Sequence, residues 1–100
     1  MVHFTQLIFV KPGTEATFHA YEDRVLPLLD RHGGRLLFRA RFGSESVLHS
    51  ELGSPYEMHL VSFPSDEHFH AYVDDPERQQ HAELRAASVE SLFSIRSIKD

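Results

Sequence analysis

Apolar residues fall on both odd and even positions of residues 2–10 (VHFTQLIFV). Phe4, Ile8 and Val10 share one face with Gln6, and Leu7 and Phe9 share the other with His3 and Thr5. A run rich in β-branched and aromatic residues that stops at Lys11-Pro12-Gly13 predicts a strand with something packed on each side. The period then changes. Phe18, Tyr21, Val25, Leu28 and Leu29 recur at helical spacing behind Thr14, which suits an N-cap, and the run ends at His32-Gly33-Gly34. The spacing predicts one helix over residues 14–31, kinked or broken near residues 24–26 because Pro27 removes a backbone donor.

Alternation returns over residues 35–42 (RLLFRARF). Leu36, Phe38, Ala40 and Phe42 form one face, and Leu37, Arg39 and Arg41 the other. A Gly-, Ser- and Glu-rich stretch over residues 43–55 reads as a loop, in which Val47-Leu48-His49 suggests a short strand extension. Residues 56–63 (YEMHLVSF) predict a third strand with Tyr56, Met58, Leu60 and Ser62 opposite Glu57, His59, Val61 and Phe63. Pro64-Ser65-Asp66-Glu67 is a helix start with Ser65 as cap, and Asp75-Pro76-Glu77 repeats the signal. The second helical region is therefore expected in two pieces, residues 65–73 and 76–87, before a last strand over residues 91–98. The β-α-β-β-α-β order predicts a single α+β domain spanning residues 1–100. Right-handed crossovers place both helical regions on one face of a four-stranded antiparallel sheet, the ferredoxin-like sandwich. The other face keeps large apolar side chains from most strands, which predicts a homodimer packed sheet to sheet as an α/β barrel.

Composition narrows the function classes. The net charge of −5, with acidic residues spread along the chain, argues against nucleic acid or an anionic membrane as the main partner. There is no cysteine, so disulfides, thiolate chemistry and Cys-based zinc sites are excluded. Met1-Val2-His3-Phe4 starts no basic-then-apolar leader, no apolar run is long enough for a membrane span, and a cytoplasmic protein is expected.

Several segments together resemble a known family. They are His32-Gly33-Gly34-Arg35, Ser62-Phe63-Pro64-Ser65, Tyr72 with Asp75-Pro76-Glu77-Arg78-Gln79, and the late Arg85. In order and spacing the set is similar to DUF1330, a family of dimeric α/β-barrel proteins of unknown function, over nearly the whole chain. The chain departs from the family pattern at Ser62, where Glu is frequent, and at Arg78, where an aromatic is frequent. The resemblance implies a ferredoxin-like protomer and a homodimer, and no substrate. Related barrel proteins include cofactor-independent monooxygenases, lactone isomerases and haem-handling enzymes, an analogy of fold alone.

The candidate chemistry lies in polar residues on strands that should be buried. Arg39 and Arg41 share a face of the second strand, and Glu57 and His59 share a face of the third. A hairpin between these strands lets the four meet. They are expected on the face away from the helices, because Leu36, Phe38, Ala40, Met58 and Leu60 make the opposite face more uniformly apolar. Arg96 on the last strand and Gln6 on the first are expected to join them. In this reading His59 is the acid or base and Glu57 holds it, while Arg39, Arg41, Gln6 and Arg96 bind a small anionic molecule. Such a site performs proton transfer without a cofactor. The simpler reading makes Arg39 or Arg41 and Glu57 an ion pair that sets strand register, in a non-catalytic dimeric module that holds a small ligand. The eight histidines offer no HExxH and no i, i+4 pair, so no purpose-built metal site is expected. Tyr21 and Glu22 on the first helix are lesser candidates.

Overall fold

The computed structural model describes residues 1–98. Strand β1 (Val2–Val10) leads to helix α1 (Glu15–Val25), which passes into a 3₁₀ segment (Leu26–His32). Strands β2 (Arg35–Arg41) and β3 (Glu57–Phe63) follow, then helices α2 (Asp66–Val73), α3 (Pro76–Gln79) and α4 (Ala82–Ser88), and strand β4 (Val89–Ile98). The strands form one antiparallel sheet in the order β2-β3-β1-β4. Both helical regions lie on one face, as the element order requires.

The predicted punctuation has identifiable physical causes. Pro27, second in its 3₁₀ segment, tightens the α-helix after Val25 instead of kinking it. Gly33 closes that segment with φ 69°, a left-handed conformation that favours glycine. Ser65 caps α2 by accepting the His68 backbone N–H at 3.3 Å, and Asp75 caps α3 by accepting that of Glu77 at 2.9 Å. Thr14 stands at the start of α1 but gives no side-chain cap; its hydroxyl donates to the Lys11 carbonyl at 2.6 Å. The second helical region breaks once more than expected, at Gln80-His81, and Val47-Leu48-His49 forms no strand.

Two motifs that carry the family resemblance meet in space. Asp75, buried at the junction of α2 and α3, is 2.7 Å from the His32 Nε2 and accepts from Arg31 Nη1 at 3.1 Å. The contact ties the helix break to the turn before β2. Hydrogen bonding with His32 and the Glu77 backbone N–H, with the Arg31 charge, holds the Asp75 carboxyl down to about 2.

The core sits between the helices and the sheet face carrying Val2, Phe4, Ile8, Val61 and Phe63. Phe18, Tyr21, Val25, Leu28, Leu29 and Tyr72 descend onto it. This reverses the expected assignment of faces. Register pairs Arg39 with His59 and Arg41 with Glu57, on the same side as Phe4 and Val61, so the polar set faces the helices. The more uniformly apolar positions (Phe38, Ala40, Met58, Leu60, Phe93, Ile95) form the uncovered face, where Phe38, Phe93 and Ile95 are at least half exposed. The helix layer tolerates the polar set because each of its charges finds a partner.

Candidate functional site

The site assembles where α1 crosses the sheet end formed by β2 and β3. Period-two alternation sends Glu57 and His59 upward from β3, and Gln6 stands opposite His59 on β1. From the edge strand β2, Arg39 and Arg41 reach inward beside them. Glu22 enters from above. It lies four residues after Phe18 and three before Val25, within the helix's inward stripe, and is 2% exposed.

Glu57, with no exposed surface, collects donors from three residues. Arg41 donates to Oε1 from Nε at 3.0 Å and from Nη2 at 2.7 Å, and Arg39 Nε donates to Oε2 at 3.3 Å. His59 Nε2 is 2.6 Å from Oε2 of Glu57 and 3.0 Å from Oε2 of Glu22. Arg39 Nη2 donates to Oε1 of Glu22 at 2.8 Å. One Nε2 proton cannot serve two carboxylates. Given to Glu57, it leaves Glu22 Oε2 a buried oxygen without a hydrogen-bond partner.

Burial and proximity divide the two carboxyl groups. Burial pushes Glu22 up; the His59 hydrogen bond opposes this, while the neighbouring Glu57 adds to it. Burial also opposes ionisation of Glu57, but hydrogen bonds with His59, Glu22 and Arg41 and the charge of Arg39 hold it below the usual carboxylate range. Two like groups this close ionise unequally, and of the pair Glu22 holds its proton to the higher pH. Burial would lower His59, yet its hydrogen bonds to Glu22 and Glu57 and their charges raise it above an ordinary imidazole.

Beside this cluster, between sheet and helices, lies a cavity of about 480 Å³. Gln6, Glu22 and His59 form its polar floor, and Phe18, Phe63 and Phe69 are among its apolar walls. The far wall is the second helical region, which contributes Arg78, Gln79, Ala82, Arg85 and Ala86. His59 Nδ1 has no protein partner among the described residues, although the ring lines the cavity. The imidazole is thus gripped at Nε2 and free at Nδ1.

The structure brings together Glu57, His59, Arg39 and Arg41, with Gln6 beside them, and adds Glu22. It does not bring in Arg96, which stands opposite Phe4 and donates to Asp66 from Nε at 2.8 Å and Nη2 at 2.6 Å. Arg39 and Arg41 follow the simpler of the two expectations, the ion pair with Glu57. They lie outside the cavity lining and bind the carboxyl groups of Glu22 and Glu57. The signal for Glu22 was its place in the apolar stripe of α1, where an acid needs a buried partner. Glu22, Glu57 and His59 offer three ligand atoms within 4.8 Å of one another, the one group of this kind among the described residues. Two guanidinium groups already occupy the same carboxylates, so a divalent cation there would face two fixed positive charges.

Element order, sheet topology and the one-sided helix layer define a ferredoxin-like α+β protein. The chain belongs to the DUF1330 family, a domain of unknown function, whose model matches residues 7–96. No curated protein matches the sequence. Among solved structures, a protein of unknown function from Rhodopseudomonas palustris superposes with TM-score 0.79 at 20% identity, over 99% of this chain and 83% of its own. A dabb family protein with a ferredoxin-like fold from Mesorhizobium loti gives 0.68 at 14% identity, over 98% and 95%. A protein from Bacteroides fragilis described as dimeric, of unknown function and with a ferredoxin-like fold gives 0.69 at 11% identity, over 96% and 93%. At these identities the likeness is one of fold.

Proposed function

We propose that the protein is a cofactor-independent acid–base enzyme that moves a proton on a small, largely apolar molecule held in the cavity between sheet and helices. The observation that carries this is the grip on His59. Its Nε2 is fixed by Glu57, which two arginines contact, while the ring, free at Nδ1, and Glu22, whose burial favours the protonated form, line the same cavity. A base and an acid beside one cavity suit removal of a proton next to a carbonyl and its return at another position. In the state with the His59 ring neutral and Glu22 protonated, Nδ1 takes the C–H proton as the enol forms, Glu22 donates to the developing oxygen, and reversal at a second carbon restores both groups. Atoms balance with no co-reactant. Glu57 is a positioning residue and the arginines neutralise it.

The assembly proposed is a homodimer with the uncovered sheet faces together. Its support is the exposed Phe38, Phe93 and Ile95, and the fold neighbour described as dimeric. The active cavity then lies inside each protomer, one sheet layer away from the dimer contact.

The test is hydrogen exchange. A panel of small enolisable keto acids is incubated in deuterium oxide with wild-type protein, His59→Gln and Glu22→Gln, and deuterium at carbon is read by NMR. Exchange by the wild type that falls at least a hundredfold in His59→Gln is expected. Equal exchange by the wild type and a folded His59→Gln across the panel would refute the assignment.

A further inference from the structure

The function so far leaves Arg78 and Arg85 unused, although both came forward as motif positions in the sequence. Positions 78, 79, 82, 85, 86 and 89 follow helical spacing across α3, α4 and the start of β4, and all six residues line the cavity. This wall therefore presents two cations, an amide and small alanines to a space whose floor is polar and whose remaining walls are largely apolar.

Pairing and position together single out these two: Arg24 and Arg35 also lack a carboxylate partner among the described residues, but they do not line the cavity. Arg31, Arg39, Arg41 and Arg96 each bind a carboxylate. Arg78 and Arg85 pair with none among the described residues. Arg78 is half-buried, with its guanidinium carbon 4.9 Å from the centre of the Tyr72 ring. Its Nε is buried without a partner, and its Nη1 reaches only the Val73 carbonyl, at 3.4 Å. That carbonyl also accepts from Gln79 Nε2 at 2.7 Å, and the longer Arg78 contact is the weaker of the two. A guanidinium stacked on an aromatic face, with unspent donors beside an apolar cavity, is prepared for a planar anion. The chain as a whole carries −5, so a cationic wall here is a local reversal of sign that favours anion entry.

We infer that the cavity takes an apolar monocarboxylate, its carboxylate held by Arg78 with Arg85 beside it and its apolar body directed toward the floor. The inference deepens the acid–base reading by naming the substrate class. It also replaces Arg39 and Arg41 as the anion-binding pair. Arg78 and Arg85 are binding residues; the proton chemistry stays with His59 and Glu22.

Binding of naphthaleneacetate and of its neutral amide, followed by fluorescence and calorimetry on the full chain, separates the two assignments. The acid is expected to bind at least about tenfold more tightly than the amide, a preference that weakens as salt rises. Arg78→Gln should remove most of that preference and leave amide binding within about twofold. Arg78→Lys should restore part of it, because charge returns without the planar fork. Arg85→Gln, at an exposed position, gives a second reading if Arg78→Gln unfolds, and should lower the preference to a smaller extent. Equal binding of acid and amide by the wild type, binding of neither at millimolar concentration, or an undiminished preference in folded Arg78→Gln and Arg85→Gln overturns the inference. Acid-selective binding without deuterium exchange would sink the enzyme and keep the anion site. Exchange without acid preference would do the reverse.

Discussion

Replacing Glu57 by Gln tests whether the buried network holds the protein together. The substitution keeps shape and removes one charge. Four donor contacts of 2.6 to 3.3 Å now converge on this carboxylate from Arg39, Arg41 and His59. An amide offers one oxygen to them and turns an NH₂ group against the rest. Removing one partner of a buried ion pair costs about 3–5 kcal/mol, because the surviving charges stay desolvated. The arginine side chains are 37% and 45% exposed, so water relieves part of this, and about 3 kcal/mol is expected. For a domain of this size that lowers Tm by roughly 12–24 °C. The control is Asp66→Asn, which breaks the bidentate Arg96–Asp66 contact with both side chains 45% exposed. An exposed pair is worth about 0–1 kcal/mol. Urea unfolding at fixed protomer concentration compares the two. Loss in Glu57→Gln no greater than in Asp66→Asn, at an unchanged slope, would refute the claim that burial makes this network matter.

The pH dependence of stability has a definite sign on each side. Glu57 and Asp75 are held low, so their contribution, present above the ordinary carboxylate value, is lost as pH falls toward about 2. Glu22 and His59 are both raised, so their contribution is full below their ordinary values of 4.5 and 6.5 and is lost as pH climbs through the folded values. The urea midpoint should therefore be highest in mildly acidic solution and fall as pH rises above 6.5; His59→Gln should flatten that upper arm, and a midpoint rising over it contradicts the assignment. Glu substituted for both Phe93 and Ile95 on the uncovered face should give a folded monomer in sedimentation where the wild type is a dimer, and a wild-type monomer at micromolar concentration would refute the interface. Gly34→Ala places a methyl 2.7 Å from Phe63 Cε1 and 3.0 Å from Leu29 Cδ2, both in the core, and should cost about 1–3 kcal/mol by overpacking. A neutral Gly34→Ala would mean that this corner is looser than its distances imply.

Much of the fold was legible because its signals are local. Alternation in VHFTQLIFV, the Pro27 break, the Ser65 and Asp75 caps and the two-sided apolar sheet each follow from neighbours a few residues apart. The choice of face was not legible by counting. Alternation says which residues share a side, and nothing in it says which side the helices take. The more uniformly apolar side was read as core, yet a face can hold Glu57 and His59 under a helix if that helix brings Glu22. The network joins residues from α1, β2 and β3, and pairings across such separations leave no periodic trace. Arg96 failed for the same reason. On its strand it looks like a member of the polar set, and only the position of Asp66 at the start of α2 shows where its charge is spent.

The sheet order also bears on how the chain folds. β1 is the first strand in the sequence and an inner strand of the sheet, yet neither of its neighbours is adjacent to it in the chain. Val2 pairs with Phe63 on one side and with Ile98 on the other. While the polypeptide is being made, β1 therefore has both backbone edges open until β3 and then β4 emerge. The β2–β3 hairpin can form early through nearby contacts, whereas inserting β1 closes two long loops at an entropic cost. A strand apolar on both faces, with one edge open until the last strand is made, is exposed to capture by another unfinished chain. The residues that make it a good centre for the finished sheet also make it the weak point of its assembly.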